Sequence, residues 1–117
     1  MIDTAPHQVF VYGTLKLGQR NAHYLEAAEY VAEYVTAEIF WMYEFDDYPA
    51  VCEQGSDAIH GEIYRVTDTQ FSALDALEWY PDFYQRIVIS TGHGDAWMYV
   101  VKAELCEGRT RISGRWP

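Results

Sequence analysis

Read for the spacing of its apolar positions, the chain falls into short β-like runs interrupted by two helix-like ones. Residues 8–13, with the apolar run Val9-Phe10-Val11-Tyr12, read as a buried first strand. It ends in a glycine-containing loop at Gly13 and Gly18 that is too long for a two-residue hairpin. Residues 21–33 then place Tyr24, Leu25, Ala28, Val31 and Ala32 on one stripe, which predicts a helix with Asn21 as its N-cap.

Beyond that point the pattern turns to strands. Residues 36–45 are rich in aromatic and β-branched side chains, residues 48–52 follow a proline-punctuated turn, and residues 60–66 alternate Ile63 and Arg65 against Glu62, Tyr64 and Val66. Residues 68–78 predict a second helix, capped by Thr67 or Asp68 and closed before Pro81, which biases Tyr80 away from helical dihedrals. Residues 86–91 and 96–105 read as a hairpin about Gly92–Asp95, and the tail from Glu107 to Trp116 as a surface loop. Mostly consecutive strands with two helices predict an α+β fold whose sheet curls into a barrel with its helices at the sides.

The second helix carries an anomaly. At about 100° per residue, with Phe71 at about 0°, Leu74 falls near 300°, Leu77 near 240° and Glu78 near 340°. Glu78 thus lies inside the apolar arc and next to the negative end of the helix dipole, two unfavourable placements at once. Either the helix frays after Leu77, releasing Glu78 to solvent or to Arg86, or the carboxylate is buried. Burial and the helix terminus would both raise its pKa and make it a general base. Asp75, near 40°, reads as a solvated flank or as a helper to Glu78. Arg86 reads equally as a substrate anchor or as the counter-charge of Glu78.

Composition narrows the class. The 117 residues, half of them hydrophobic, fit one domain over residues 1–117 with a real core. Eighteen acidic against eight basic residues give a formal charge of −10, with no basic cluster to meet phosphates, so nucleic acid is not an expected partner. The N-terminus MIDTAPHQ lacks a signal-peptide pattern and no apolar run is long enough to span a membrane, so a cytoplasmic protein without membrane partners is expected. Cys52 and Cys106 lack C-x-x-C spacing and read as reduced, buried thiols. His7, His23, His60 and His93 offer no metal-ligand spacing, and the glycine loop lacks the Gly-Lys-Ser/Thr ending of a phosphate-binding loop.

Two separated motifs, Tyr12-Gly13-Thr14-Leu15 and Leu74-Asp75-Ala76-Leu77-Glu78, carry a resemblance to the γ-glutamyl cyclotransferase-like family, particularly its short bacterial and γ-glutamylamine-type members. The resemblance continues through Gly18-Gln-Arg-Asn21, Tyr48-Pro49-Ala50, Gly61-Glu62-Ile63-Tyr64, Tyr84-Gln-Arg86, Ala96-Trp97-Met98-Tyr99 and Ser113-Gly114-Arg115-Trp116. It implies a small, mixed, mostly antiparallel β-barrel flanked by about two helices, with a cavity at one end. It also implies that residues 12–15 hold the α-amino acid end of a γ-glutamyl group, that Glu78 is the acid/base, and that no cofactor or metal is needed. Tyr12, Tyr84 and Arg86 are the further expected substrate contacts, although with ten tyrosines in the chain the default reading of Tyr12, Tyr84 and Tyr99 from the residues alone is core packing with a satisfied hydroxyl. A monomer or weak homodimer acting on a small γ-glutamyl substrate is the expected assembly.

The sequence departs from the family pattern at two places: Trp79 stands where relatives usually have glycine, and Arg115 where the tail usually has aspartate. Trp79 has three readings: it narrows the pocket, it changes the leaving group accepted, or it marks a member that binds a small molecule without turnover.

Overall fold

In a computed structural model, which describes residues 5–116, eight strands form two sheets. The expected leaderless start, residues 1–4, lies outside the described part. The strands are β1 (His7–Val11), β2 (Glu29–Val35), β3 (Phe40–Phe45), β4 (Tyr48–Asp57), β5 (His60–Val66), β6 (Gln85–Thr91), β7 (Gly94–Val100) and β8 (Thr110–Ile112). One α-helix, α1 (Asp68–Leu77), follows β5, and short 3-10 turns occupy Ala22–Leu25 and Ala103–Cys106.

The larger sheet has the order β2-β5-β1-β7-β6, the smaller β4-β3-β8. Only the β1–β7 pair is parallel; all the others are antiparallel. The sheet curls without closing: its two edges approach where the Tyr34 hydroxyl donates to the Ser90 carbonyl at 3.3 Å, with no β2–β6 ladder between them. The expected α+β fold is therefore present, as a mixed, mostly antiparallel open barrel.

β1 lies at the centre of the larger sheet, and both its faces are covered. Val9 and Val11 join a cluster with Leu74, Phe71 and Tyr99, while Phe10 joins a second one with Met42, Ile63 and Met98. The part of the strand covered on both faces, Val9–Val11, is accordingly apolar at every position and does not alternate, while His7 and Gln8 at its start are only half-buried.

The predicted helix over residues 21–33 is replaced by a single 3-10 turn followed by β2. The local stripe is outweighed by Tyr30, Val31, Tyr34 and Val35, residue types that favour a pleated surface, and by a seven-residue partner in β5. Tyr30 faces Tyr64 across that ladder, ring edge to ring face at 5.4 Å. A register shift between Tyr30 and Ala32 breaks the period-2 alternation, which makes the segment look helical on paper.

The tail is likewise not a surface loop. Residues 110–112 add a third strand to the smaller sheet, and the His60 amide donates to the Gly114 carbonyl at 2.8 Å. A Cβ on Gly114 would stand 1.7 Å from the Ala58 carbonyl oxygen, so only glycine permits this crossing. β7 ends at Val100 rather than extending to residue 105.

The predicted helix at residues 68–78 is present as α1, with Thr67 as its cap. Thr67 Oγ1 accepts from the Gln70 amide at 3.1 Å while Gln70 Oε1 accepts from the Thr67 amide at 2.8 Å, a reciprocal capping box. At the other end the Trp79 amide bonds the Ala76 carbonyl and the Tyr80 amide bonds the Asp75 carbonyl. These are the two bonds of a Schellman turn, with Glu78 as C-cap and Trp79 at the left-handed position, φ 53°.

Candidate active site

The end of β1 and the end of α1 meet at a cavity of about 470 Å³. The strand delivers Tyr12, Gly13, Thr14 and Leu15, and the helix delivers Leu77, Glu78 and Trp79. Tyr48 and Pro49 from the start of β4, Phe83 and Tyr84 before β6, and Tyr99 in β7 complete most of the wall. Residues 12–15 and Glu78, separated by more than half the chain, therefore share one wall-lined space.

The loop keeps its shape through bonds that use its carbonyls. The Lys16 amide donates to the Gly13 carbonyl at 3.0 Å and the Asn21 amide to the Thr14 carbonyl at 2.9 Å. The amides of Gly13, Thr14 and Leu15 stay outside this turn bonding. Asn21 does not cap a helix as expected; its side chain donates to Thr14 Oγ1 at 3.0 Å and lines the cavity. Gly13 is required by the protein itself, since a Cβ there would lie 2.7 Å from Pro49 Cγ. That proline carbonyl in turn accepts the Tyr84 hydroxyl at 2.7 Å.

Three tyrosines line the cavity with their hydroxyls engaged. Tyr12 donates to the Tyr99 carbonyl at 2.8 Å, Tyr84 to Pro49, and Tyr99 to Asp75 Oδ1 at 2.6 Å. Burial, reinforced by the Glu78 charge, raises the pKa of Tyr12 and Tyr84 well above the usual phenol value. Tyr99 is raised by burial and by its bond to Asp75. All three keep their protons and can act only as neutral hydrogen-bonding groups near neutral pH.

Glu78 behaves differently. The helix does not fray before it: its amide bonds the Leu74 carbonyl at 2.9 Å, and the side chain is partly buried against the cavity. Burial raises its pKa from 4.5 to about 7. Glu78 is therefore the lining carboxylate that can both accept and release a proton at neutral pH.

Arg86 is placed differently from either expectation. It does not line the cavity and pairs with Asp75 rather than Glu78: Nε lies 3.2 Å from Oδ1, and Nη2 donates to Oδ2 at 3.2 Å. Its guanidinium is packed against the rings of Phe71, Tyr80 and Trp97 at 4.3 to 4.7 Å. Asp75 is accordingly no solvated flank. It ties α1 to β6 through Arg86 and to β7 through the Tyr99 hydroxyl, one helical turn before Glu78.

Sequence reasoning missed Tyr48, Phe83 and the cavity role of Asn21. Among ten tyrosines and five phenylalanines, no local signal separates a wall residue from a core residue. Among the described residues no group of three potential metal ligands occurs, and no helix is long and apolar enough to cross a membrane.

The fold is a partly open α+β barrel whose central strand ends in a glycine loop facing a partly buried carboxylate from a helix end. Comparison with known proteins is consistent throughout. The profile of the "Gamma-glutamyl cyclotransferase, AIG2-like" family matches residues 9–117. The chain belongs to that family. It is 38% identical over 94 residues to a "Putative gamma-glutamylcyclotransferase" of Vibrio cholerae, covering 80% of this chain and 81% of the relative. It is 37% identical to a gamma-glutamylcyclotransferase family protein, ytfP, of Citrobacter rodentium, over 93% of this chain and 94% of that one. Among solved structures, protein ytfP from Escherichia coli superposes with a TM-score of 0.76 at 34% identity, covering 93% and 95% of the two chains. An AIG2-like protein from Mus musculus shares the fold, with a TM-score of 0.80 at 23% identity over 95% and 88% of the chains.

Proposed function

We propose that this protein is an enzyme of the γ-glutamyl cyclotransferase type, converting a γ-glutamyl amide into 5-oxoproline and a free amine by intramolecular aminolysis. The observation that carries this reading is Glu78, a cavity carboxylate with a pKa of about 7 facing the loop of residues 12–15.

In this reaction the α-amine of the γ-glutamyl group loses a proton to Glu78, and its lone pair attacks the side-chain amide carbonyl of the same molecule. Attack leaves a positively charged ring nitrogen. As the carbon–nitrogen bond to the leaving amine breaks, the leaving nitrogen takes the first proton back from Glu78. Glu78, again a carboxylate, then removes the surplus proton of the ring nitrogen and passes it to the departing amine, which leaves as its ammonium. Nucleophile and electrophile belong to one molecule, so a correctly folded substrate gains an effective molarity of about 10^5 to 10^8 M, or roughly 7–11 kcal/mol. The cavity's task is to hold that conformation, and the amides of Gly13, Thr14 and Leu15 are suited to meet a carboxylate or the developing oxyanion.

The altered pKa supplies the rest. Moving a proton from an ammonium of pKa about 8 to an ordinary glutamate of about 4.3 costs roughly 5 kcal/mol. With Glu78 at about 7 the cost falls to about 1.4 kcal/mol, and the resulting acid is strong enough to protonate the leaving amine. The protein's own groups suffice for these steps, and no cofactor is invoked.

Trp79 at the rim favours a second reading, a binder that keeps the cavity without turnover. Incubation with γ-glutamyl amino acids, γ-glutamylamines and γ-glutamyl-lysine, with mass-spectrometric detection of 5-oxoproline, separates the two. Release from at least one compound supports the enzyme; tight binding of glutamate or 5-oxoproline with no release supports the binder.

A further inference from the structure

Trp79 is held in two unfavourable circumstances at once. Its φ of 53° is a left-handed conformation that strains an L-residue and that glycine adopts freely. Its side chain is 73% exposed, so the ring is not offsetting that strain by filling the core. A bulky residue at a position that only asks for glycine, and out of the core, points to a ligand contact rather than to folding.

The ring is placed for one. Trp79 lines the cavity beside Glu78, and Tyr48 and Phe83, themselves in edge-to-face contact at 6.4 Å, line the same cavity. On the proposed reaction, the γ-glutamyl end is the constant part of the substrate and belongs with the loop of residues 12–15. The group beyond the reacting bond is the part left to reach the solvent-facing rim. Arg20, the cationic side chain in the lining, is already paired with Asp47, and the chain as a whole is strongly acidic. Among the described residues, the rim thus offers aromatic faces and no free cation for a carboxylate-bearing leaving group.

We propose that Trp79 is a specificity-determining residue, stacking on the leaving group and favouring γ-glutamyl amides of amines that carry an aromatic ring over those of small alkylamines. This rests on the function proposed above. An aromatic pair is worth about 0.5–1.5 kcal/mol beyond its buried area, a preference of roughly 2- to 12-fold that depends on the ring.

The test is calorimetric binding of γ-glutamyl-benzylamide and γ-glutamyl-methylamide to the Glu78→Gln protein, together with turnover of both by the wild type. The benzylamide is expected to bind more tightly, with the ratio falling roughly 2- to 12-fold on adding Trp79→Leu and persisting with Trp79→Phe. Trp79→Gly, which the backbone favours, must show the same fall, so that a folding defect in the leucine variant cannot mimic it. A ratio unchanged in both the leucine and glycine variants overturns this inference alone. Binding with the expected fall but without turnover upholds it while removing the catalytic reading. Failure of both amides to bind or react overturns both.

Discussion

Replacing Glu78 by glutamine removes one titration and leaves a side chain of nearly the same shape. The carboxyl has a pKa of about 7 in the folded protein against 4.5 for the ordinary group. Between those values the folded state holds a proton that the unfolded state has released, so stability falls as pH rises. The cost is absent below the unfolded pKa and complete above about 7. A gap of about 2.5 pH units at 1.36 kcal/mol each sets its full size at about 3 kcal/mol. Other titrating groups affect wild type and Glu78→Gln alike, so their difference isolates this carboxylate. In urea unfolding, the variant should gain about 2.5 kcal/mol on the wild type between about pH 5 and about pH 8, a relative midpoint shift of roughly 1 M. A stability difference that does not change with pH would refute the buried carboxylate and restore the frayed helix end.

Two further substitutions test the walls of the cavity. Gly13→Ala drives a Cβ to 2.7 Å from the Pro49 ring and should cost about 1–3 kcal/mol in thermal or urea unfolding, displacing the carbonyl that holds Tyr84. Tyr99→Phe removes the hydroxyl that donates to Asp75 at 2.6 Å and should cost about 1.5–3 kcal/mol, whereas Tyr24→Phe, which gives up no hydroxyl contact of this kind, serves as the control.

Legibility in the sequence followed the range of the interactions. α1 was readable because its cap at Thr67 or Asp68 and the apolar positions Phe71, Leu74 and Leu77 are set within the segment itself, whereas the reciprocal bond from Gln70 appears only in the structure. Glu78 was readable because a single charge on an apolar arc conflicts with local rules. β2 was not, because its identity depends on pairing with β5 some 30 residues away and a bulge erases its alternation. The strand at residues 110–112 is short and takes its place only through β3 and the glycine at position 114. In the site, the pairing of residues 12–15 with Glu78 followed from the family resemblance rather than from spacing. The true partner of Arg86 escaped because Asp75 and Glu78 lie on neighbouring parts of one helix face, and only the packing against Phe71, Tyr80 and Trp97 selects between them.

On the proposed reaction, Glu78 moves the protons in an aminolysis that forms 5-oxoproline. That role is tested most directly by the rate of 5-oxoproline release from a γ-glutamyl amide, measured for the wild type and Glu78→Gln between about pH 5 and about pH 9. The wild-type rate should climb through about pH 7, and the variant should be at least about 100-fold slower with that rise abolished. Equal rates for the two proteins across the range would contradict it.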